Sequence, residues 1–159
     1  MKIRVLCVGK LKERYLAEAQ AEYAKRISRY ANLEIVEVAD EKTPEKASAK
    51  QVEEILRKEG ERLLSKIQPG EYVIALAIKG AMYDSEGFAA HLMDRLERAG
   101  GSVTLIIGGS LGLSGEVLSR TSGQISFSKL TFPHQLMRVL LLEQIYRAFR
   151  ILRGEPYHK

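Results

Sequence analysis

The sequence predicts an α/β domain with a mostly parallel sheet, extending over residues 1–159 as a single unit. Short apolar runs alternate with longer amphipathic stretches along the whole chain, which is the order of strands joined by helices. No internal repeat, linker or low-complexity segment divides the chain. A length of 159 residues suits one domain that can bury a core without disulfides or a structural metal.

The first part of the chain predicts a strand, a helix and a strand. Ile3–Val8 is a short apolar run that ends at Gly9, which favours a buried strand. Apolar residues then recur every three or four positions over residues 11–30, with charged residues between them, as on an amphipathic helix. Leu33–Ala39 alternates apolar with acidic residues and predicts a half-exposed strand.

The middle of the chain predicts a loop, a helix and a strand. Asp40–Ala49 is polar and is expected to be a loop. The apolar period from Val52 to Ile67 indicates a second amphipathic helix, although Gly60 within it costs ~1 kcal/mol relative to alanine. Tyr72–Ile78 follows a Pro-Gly turn signal as a continuous apolar run, and it predicts a central strand.

The last part predicts three helices and two strands. Ser85 is the expected N-cap of a helix that ends at Ala99, before two glycines. Proline suits the first turn of a helix, so the longest helix should begin at Pro133. The remaining predicted elements, in order, are a strand over Val103–Ile107, a short helix over Glu116–Arg120, a strand over Gln124–Ser128 and the long helix over Pro133–Leu152.

Composition favours a cytoplasmic protein and suggests an anionic partner. Cys7 is the single cysteine, so no internal disulfide can form. The N-terminus is charged too early for a signal peptide, and no run approaches the ~20 apolar residues that cross a bilayer. Most of the net charge of +5 falls in Lys129–Lys159, which carries six basic and two acidic residues. Such a segment suits nucleic acid, although many basic proteins bind nothing acidic.

Three segments follow the carboxyl ends of predicted strands, where parallel sheets bind their ligands. They are Ile78–Gly80, Gly108–Gly115 and Ser126–Pro133. The glycines of the second would let a ligand approach the backbone, but their spacing is not G-x-G-x-x-G, and no acidic residue in the next strand could hold a ribose. A tight turn between capped elements is the equally good alternative. Backbone groups of the third could recognise a purine edge, although an ordinary connection explains it as well.

The long C-terminal helix suggests a two-fold contact. Apolar residues over Leu136–Leu152 cover more than one face, so the helix needs burial on two sides. One side could be a second copy of the chain, and the alternative is burial within one subunit. Arginines at 147, 150 and 153 follow one side of this helix, and Tyr157 and His158 lie in the tail behind it. These side chains could stack on a base and bind phosphate, or they could form a solvated face and a frayed end.

Other chemistries lack their residues. Three histidines and one cysteine without ligand spacing indicate no metal site, and the absence of G-x-S-x-G argues against a serine hydrolase.

Residues 103–159 closely resemble the RlmH family, the ribosomal RNA pseudouridine N3-methyltransferases of the SPOUT superfamily. The resemblance is carried by VTLIIGGSLGLSGEV, by LTFPH, by EQIYRA and by a terminal PYH, all in order. The start MKIRVLCVGKLKERY and the run DEKTPEKAS extend it over nearly the whole chain.

The resemblance implies a fold, a methyl donor and partners that residue patterns alone would not suggest. The fold would contain a C-terminal trefoil knot, and the chain would act as a homodimer in which the partner completes the donor site. The substrate would be a pseudouridine in 23S ribosomal RNA of the large subunit, methylated at N3 on assembled 70S ribosomes. S-adenosylmethionine would be the donor, with no metal, held by Leu76, Gly108, Phe127, Ser128, Lys129, Leu130, Thr131 and Phe132.

The reaction is an in-line attack on a sulfonium methyl by a pyrimidine nitrogen that must lose its proton. His158 is the candidate base, Arg138 is the candidate partner of the uracil oxyanion, and Tyr157 could stack on the base. The two tail residues are expected to matter for methyl transfer and little for folding. Three alternatives stay open: a transfer RNA acceptor, a ribosome-binding factor without catalysis and a generic nucleotide-binding module.

Overall fold

Five parallel strands form one sheet in the computed structural model of the protein, which describes Met1–Lys159. The strands are β1 (Lys2–Val8), β2 (Asn32–Val38), β3 (Val73–Met82), β4 (Ser102–Ile107) and β5 (Gly123–Ser126). Their order in the sheet is β2-β1-β4-β3-β5, and every neighbouring pair is parallel. The predicted α/β class and parallel sheet are therefore confirmed. The trefoil knot stays an implication of the resemblance.

Each predicted helix is present, with bounds that its caps explain. They are α1 (Arg14–Ile27), α2 (Ala49–Leu64), α3 (Ser85–Arg98), α4 (Gly115–Arg120) and α5 (His134–Leu152). α2 begins three residues before its apolar period because Ser48 and Gln51 form a capping box. The predicted N-cap of α3 is wrong by one residue: the Asp84 carboxylate accepts a hydrogen bond from Gly87 N at 2.7 Å, whereas the Ser85 hydroxyl donates to Gln144 at 3.1 Å.

Helices cover both faces of the sheet and divide the core in two. Alternate side chains of β1 point to opposite faces, so Ile3 and Val5 join the larger cluster, under α1, α3 and α5, whereas Leu6 and Val8 join the smaller one, under α2 and α4. None of the five helices is long and apolar enough to cross a membrane.

The wide apolar surface of α5 is explained within one subunit. The helix lies between α1 and α3 on the sheet, so neighbours cover it on three sides. Leu141, Leu142, Ile145 and Ala148 are at most 1% exposed, and the Phe149 ring stacks on Tyr30 at 5.4 Å between centroids. The inference that this width needs a second copy of the chain is wrong. A homodimer needs another basis.

Candidate active site

A cavity of 660 Å³, here called the strand-end cavity, lies at the carboxyl ends of β3, β4 and β5. Its wall comes from the end of β3, from Gly108–Gly112 after β4 and from the segment between β5 and α5. Seven of the eight expected donor-site residues line it: Leu76, Gly108, Phe127, Ser128, Leu130, Thr131 and Phe132. The side chain of Lys129 is exposed and lies outside this lining.

A bulge in β3 forms one side of the strand-end cavity. Both Leu76 and Ala81 pair with Ile125 of β5, so the four residues between them leave the ladder. Two of these, Ala77 and Ile78, line the cavity. A side chain at Gly80 would place its Cβ 2.5 Å from the Ile125 backbone, so only glycine allows the strands to rejoin. The predicted turn at Ile78–Gly80 is thus a bulge within a longer strand, and the glycine in an apolar run was its signal.

The loop after β4 folds tightly on itself. Gly112 N donates to the Gly109 carbonyl at 3.0 Å, and Gly112 has a φ of 84°, in the left-handed region that favours glycine. A Cβ on Gly108 would overlap the Gly112 carbonyl. α4 then begins at the Ser114 cap, whose hydroxyl accepts from Val117 N at 3.3 Å. Both the tight turn and the cavity wall expected of this loop are present.

The segment between β5 and α5 is braced by its own serines. The Ser126 hydroxyl donates to the Ser128 carbonyl at 2.9 Å, and Leu130 N donates to the Ser128 hydroxyl at 2.9 Å. The Phe127 ring meets Phe88 of α3 edge-on at 5.7 Å. These contacts hold the backbone of residues 126–130 in a fixed position along the cavity.

The lining of the strand-end cavity carries no fixed charge. None of its 19 residues is Lys, Arg, Asp or Glu. His134 is the one ionisable residue, and burial together with the Arg138 guanidinium lowers the pKa of its imidazole, which favours the neutral ring. A polyphosphate would find no cation here, so the generic nucleotide-binding alternative is disfavoured. No group of three His, Cys, Asp or Glu side chains is arranged to hold a metal ion.

A second cavity, of 540 Å³ and here called the tail cavity, adjoins the first. The two share Ile125, Ser126, Phe127 and Phe132 as common wall. His158 lines the tail cavity together with residues at the start of α3 and Gln144 of α5. The structure therefore brings one predicted catalytic residue to the border of the expected donor site.

The C-terminal tail is packed against α5 and is not frayed. The Tyr157 hydroxyl donates to Glu143 at 3.0 Å, and its ring meets Tyr146 edge-on at 4.9 Å between centroids. The Arg147 guanidinium lies 4.7 Å from the centre of the Tyr157 ring. Burial, with the bond to Glu143, raises the pKa of Tyr157 to about 12, so the phenol stays protonated at neutral pH.

His158 is held by the same arginine. Nη1 of Arg147 lies 3.2 Å from Nδ1 of His158. A guanidinium only donates, so Nδ1 must accept this hydrogen bond, and the neutral ring then carries its proton on Nε2. The side chain of Arg147 is itself oriented by two hydrogen bonds to Glu143, at 3.0 and 2.6 Å.

Arg138 lies in the core, outside both cavity linings. Its side chain is 1% exposed. Nη1 donates to Glu37 at 2.6 Å and to Gln20 at 3.3 Å, and Nη2 donates to the Gly9 carbonyl at 3.0 Å. These bonds join α5 to the first two strands and to α1. Nothing in this arrangement supports the expected contact between Arg138 and a uracil oxyanion.

Comparison with known proteins agrees with this geometry. Residues 1–158 match the family model described as "Predicted SPOUT methyltransferase". Proteins named "Ribosomal RNA large subunit methyltransferase H" are 56% identical in Clostridium acetobutylicum, 55% in Carboxydothermus hydrogenoformans and 56% in Streptococcus gordonii, each over 100% of both chains. The structure of a probable methylase family protein from Haemophilus influenzae is similar in fold, with a TM-score of 0.56, 12% identity, and coverage of 99% of this chain and 70% of that one.

Proposed function

The chain belongs to the SPOUT methyltransferase family, and from that membership we propose that it is an S-adenosylmethionine-dependent methyltransferase that acts on N3 of a pseudouridine in large-subunit ribosomal RNA. The observation that carries the proposal is the strand-end cavity, which gathers seven of the eight donor-site residues expected from the sequence. Relatives 55–56% identical over their whole length have a name that specifies ribosomal RNA of the large subunit.

The strand-end cavity fits the donor in size and in chemistry. Its 660 Å³ lie within the range of small-molecule sites, roughly 300–1,000 Å³. Its apolar side chains suit an adenine ring, and Gly108 and Gly109 let a ligand reach the backbone. When bound, the donor supplies a methyl group on a positively charged sulfur. The protein's own task is to hold that methyl in line with the acceptor nitrogen.

The tail cavity is proposed to receive the acceptor ring. It shares a wall with the strand-end cavity, so a flat ring there would lie next to the donor. The basic C-terminal segment would attract the RNA backbone toward this side of the molecule.

His158 faces this cavity with Nε2–H as a donor because Nδ1 accepts from Arg147. We therefore assign it a different role from the base expected from the sequence. The Nε2 proton donates to a pyrimidine oxygen and stabilises the negative charge that develops when N3 loses its proton. That proton then leaves to solvent.

We propose a cytoplasmic homodimer acting on assembled 70S ribosomes. Large apolar side chains remain exposed beside the two cavities, among them Ile78 at 59%, Tyr83 at 43% and Leu130 at 70%. A second copy of the chain would cover such a surface. Sedimentation should give a dimer at micromolar concentration, and a monomer there would remove this part of the proposal.

The main test is methyl transfer from labelled donor to ribosomes that lack the modification. We expect label in the large-subunit RNA of whole 70S particles, little in free RNA, and N3-methylpseudouridine in a nucleoside digest. Transfer RNA is the control acceptor. Label in transfer RNA alone would move the substrate to another RNA, and wild-type protein that fails to bind the donor in calorimetry would leave only a ribosome-binding factor.

Two substitutions separate the roles of His158. His158→Gln keeps a side-chain donor, and it should retain more activity than His158→Ala. If the imidazole acted as the base instead, Gln and Ala would be equally inactive, and wild-type kcat/KM would fall at acidic pH as the ring protonates.

A further inference from the structure

Glu59 is a buried carboxylate for which the reaction described above has no use. Its residue is 4% exposed, in the middle of α2. Oε2 accepts a hydrogen bond from Glu41 N at 2.9 Å, whereas Oε1 is buried and has no partner. Burial and the neighbouring carboxylates of Asp40 and Glu41 raise the pKa of Glu59, and the Arg62 guanidinium opposes them. A half-satisfied buried carboxyl group costs stability, so its position calls for another explanation.

The glycine loop of the strand-end cavity lies directly against this carboxylate. A Cβ built on Gly109 would meet Oε1 at 2.9 Å and Oε2 at 3.2 Å. A Cβ built on the next residue of α2, Gly60, would meet the Ser114 hydroxyl at 2.7 Å. Two consecutive residues of α2 therefore contact the two ends of the loop, at Gly109 and at the cap of α4. This close approach explains a helical glycine that costs ~1 kcal/mol relative to alanine.

The segment before α2 is fastened to the same loop. The Thr43 hydroxyl lies 3.1 Å from the Ser110 hydroxyl, within hydrogen-bond distance. Glu59 holds the neighbouring Glu41 backbone through Oε2. Residues 41–43 and Gly109–Ser110 are thus brought together around one carboxyl group, and both loop residues line the strand-end cavity.

We propose that Glu59 is a positioning residue for the donor loop: one carboxylate oxygen fixes the segment that bonds Ser110, and the other supports Gly109 from below. The inference rests on the proposed function, because it assumes that the strand-end cavity binds S-adenosylmethionine. Glu59 does not line the cavity, so it acts on the donor only through the loop. Its loss should therefore weaken donor binding and leave the transfer step unchanged.

The test compares donor affinity, KM, kcat and melting temperature for wild type, Glu59→Gln, Glu59→Asp and Glu59→Ala. Gln keeps the length and an acceptor oxygen, so its donor Kd should stay within about twofold of wild type. Ala should raise Kd and the donor KM about tenfold, with kcat at saturating donor within about twofold. Asp draws the carboxylate back from Gly109 with little loss of packing, so it tests the contact even if Ala fails to fold.

Glu71→Ala is the matched control. Glu71 is another part-buried glutamate, bound to Arg4, Thr104 and Gln68 N at the amino end of the sheet. Its loss should lower the melting temperature without changing donor Kd. If the Asp and Ala variants of Glu59 likewise melt earlier but bind the donor as wild type does, Glu59 is only structural and the inference is overturned. Failure of wild type itself to bind the donor would instead refute the proposed function.

A second pair of variants tests the contact with Gly109. Gly109→Ala adds a methyl group that meets the Glu59 carboxylate and, at 3.2 Å, Val8. It should weaken donor binding, and adding Glu59→Ala should recover part of that loss because one of the two obstacles is gone. Strictly additive effects of the two substitutions would show that the residues act independently and would contradict the proposal.

Discussion

Replacing Arg138 by methionine should destabilise the protein strongly and affect methyl transfer little. The substitution keeps an unbranched chain in the core but removes the guanidinium that bonds Glu37 and the Gly9 carbonyl. The Glu37 side chain is 34% exposed, so water can replace its lost partner, whereas the Gly9 carbonyl loses a buried donor. An orphaned buried acceptor costs about 1–3 kcal/mol, and a lost bond to a charged group about 1.5–3 kcal/mol. With the partial recovery from Glu37, we expect a loss of about 3 kcal/mol.

Thermal unfolding is the assay, because a protein of this size loses roughly 2–4 °C per kcal/mol. The melting temperature should therefore fall by about 6–12 °C, while donor Kd and kcat of the folded variant stay close to those of wild type. Arg153→Met is the control, since Arg153 is exposed and lies over the Tyr30 ring without a carboxylate partner, and its melting temperature should barely change. An unchanged melting temperature with a large fall in kcat for Arg138→Met would return Arg138 to the catalytic role expected from the sequence.

Three further predictions concern the tail, the glycine loop and the cysteine. A chain ending at Glu155 should lose turnover on ribosomes, keep donor affinity and melt a few degrees lower, since Tyr157 packs on Tyr146 and bonds Glu143; normal turnover would refute a role for the tail. Gly108→Ala should abolish donor binding in calorimetry and Gly115→Ala should not, because an added Cβ overlaps the Gly112 carbonyl only at Gly108; equal affinities would refute this loop geometry. Burial raises the pKa of Cys7 to about 12, so the thiol should resist alkylation through pH 9 until the protein unfolds, and rapid labelling of native protein would contradict its burial.

Local pattern was sufficient for the elements of the fold. Each strand and helix has a period or an apolar run that a few neighbouring residues define, and such signals need no knowledge of the rest of the chain. The strand-end loops were predicted for the same reason, because a parallel sheet brings the ends of β3, β4 and β5 to one edge. What the pattern missed is local chemistry with two solutions, as at Asp84 and Ser85, where either side chain could cap α3.

The roles of Arg138, Glu59 and the tail depend on contacts between distant parts of the chain. Arg138 lies 101 residues from Glu37 and 129 from Gly9, and Glu59 meets a glycine 50 positions away. Nothing near these residues in the sequence distinguishes a buried arginine from an exposed one. The tail looked disordered because terminal residues usually are, yet Glu143 and Arg147 bind it across 14 and 11 positions.

Helix α5 sets the distance between the two proposed binding sites. His134 and Met137 at its start line the strand-end cavity, and Leu140 and Gln144 line the tail cavity. From Met137 to Gln144 the helix axis rises about 10 Å, at 1.5 Å per residue. The helix is buried on three sides by α1, α3 and the sheet, so this separation is held by the core and not by the loops alone. In-line methyl transfer needs that constancy, because the glycine loop can position the donor only relative to an acceptor site that does not move.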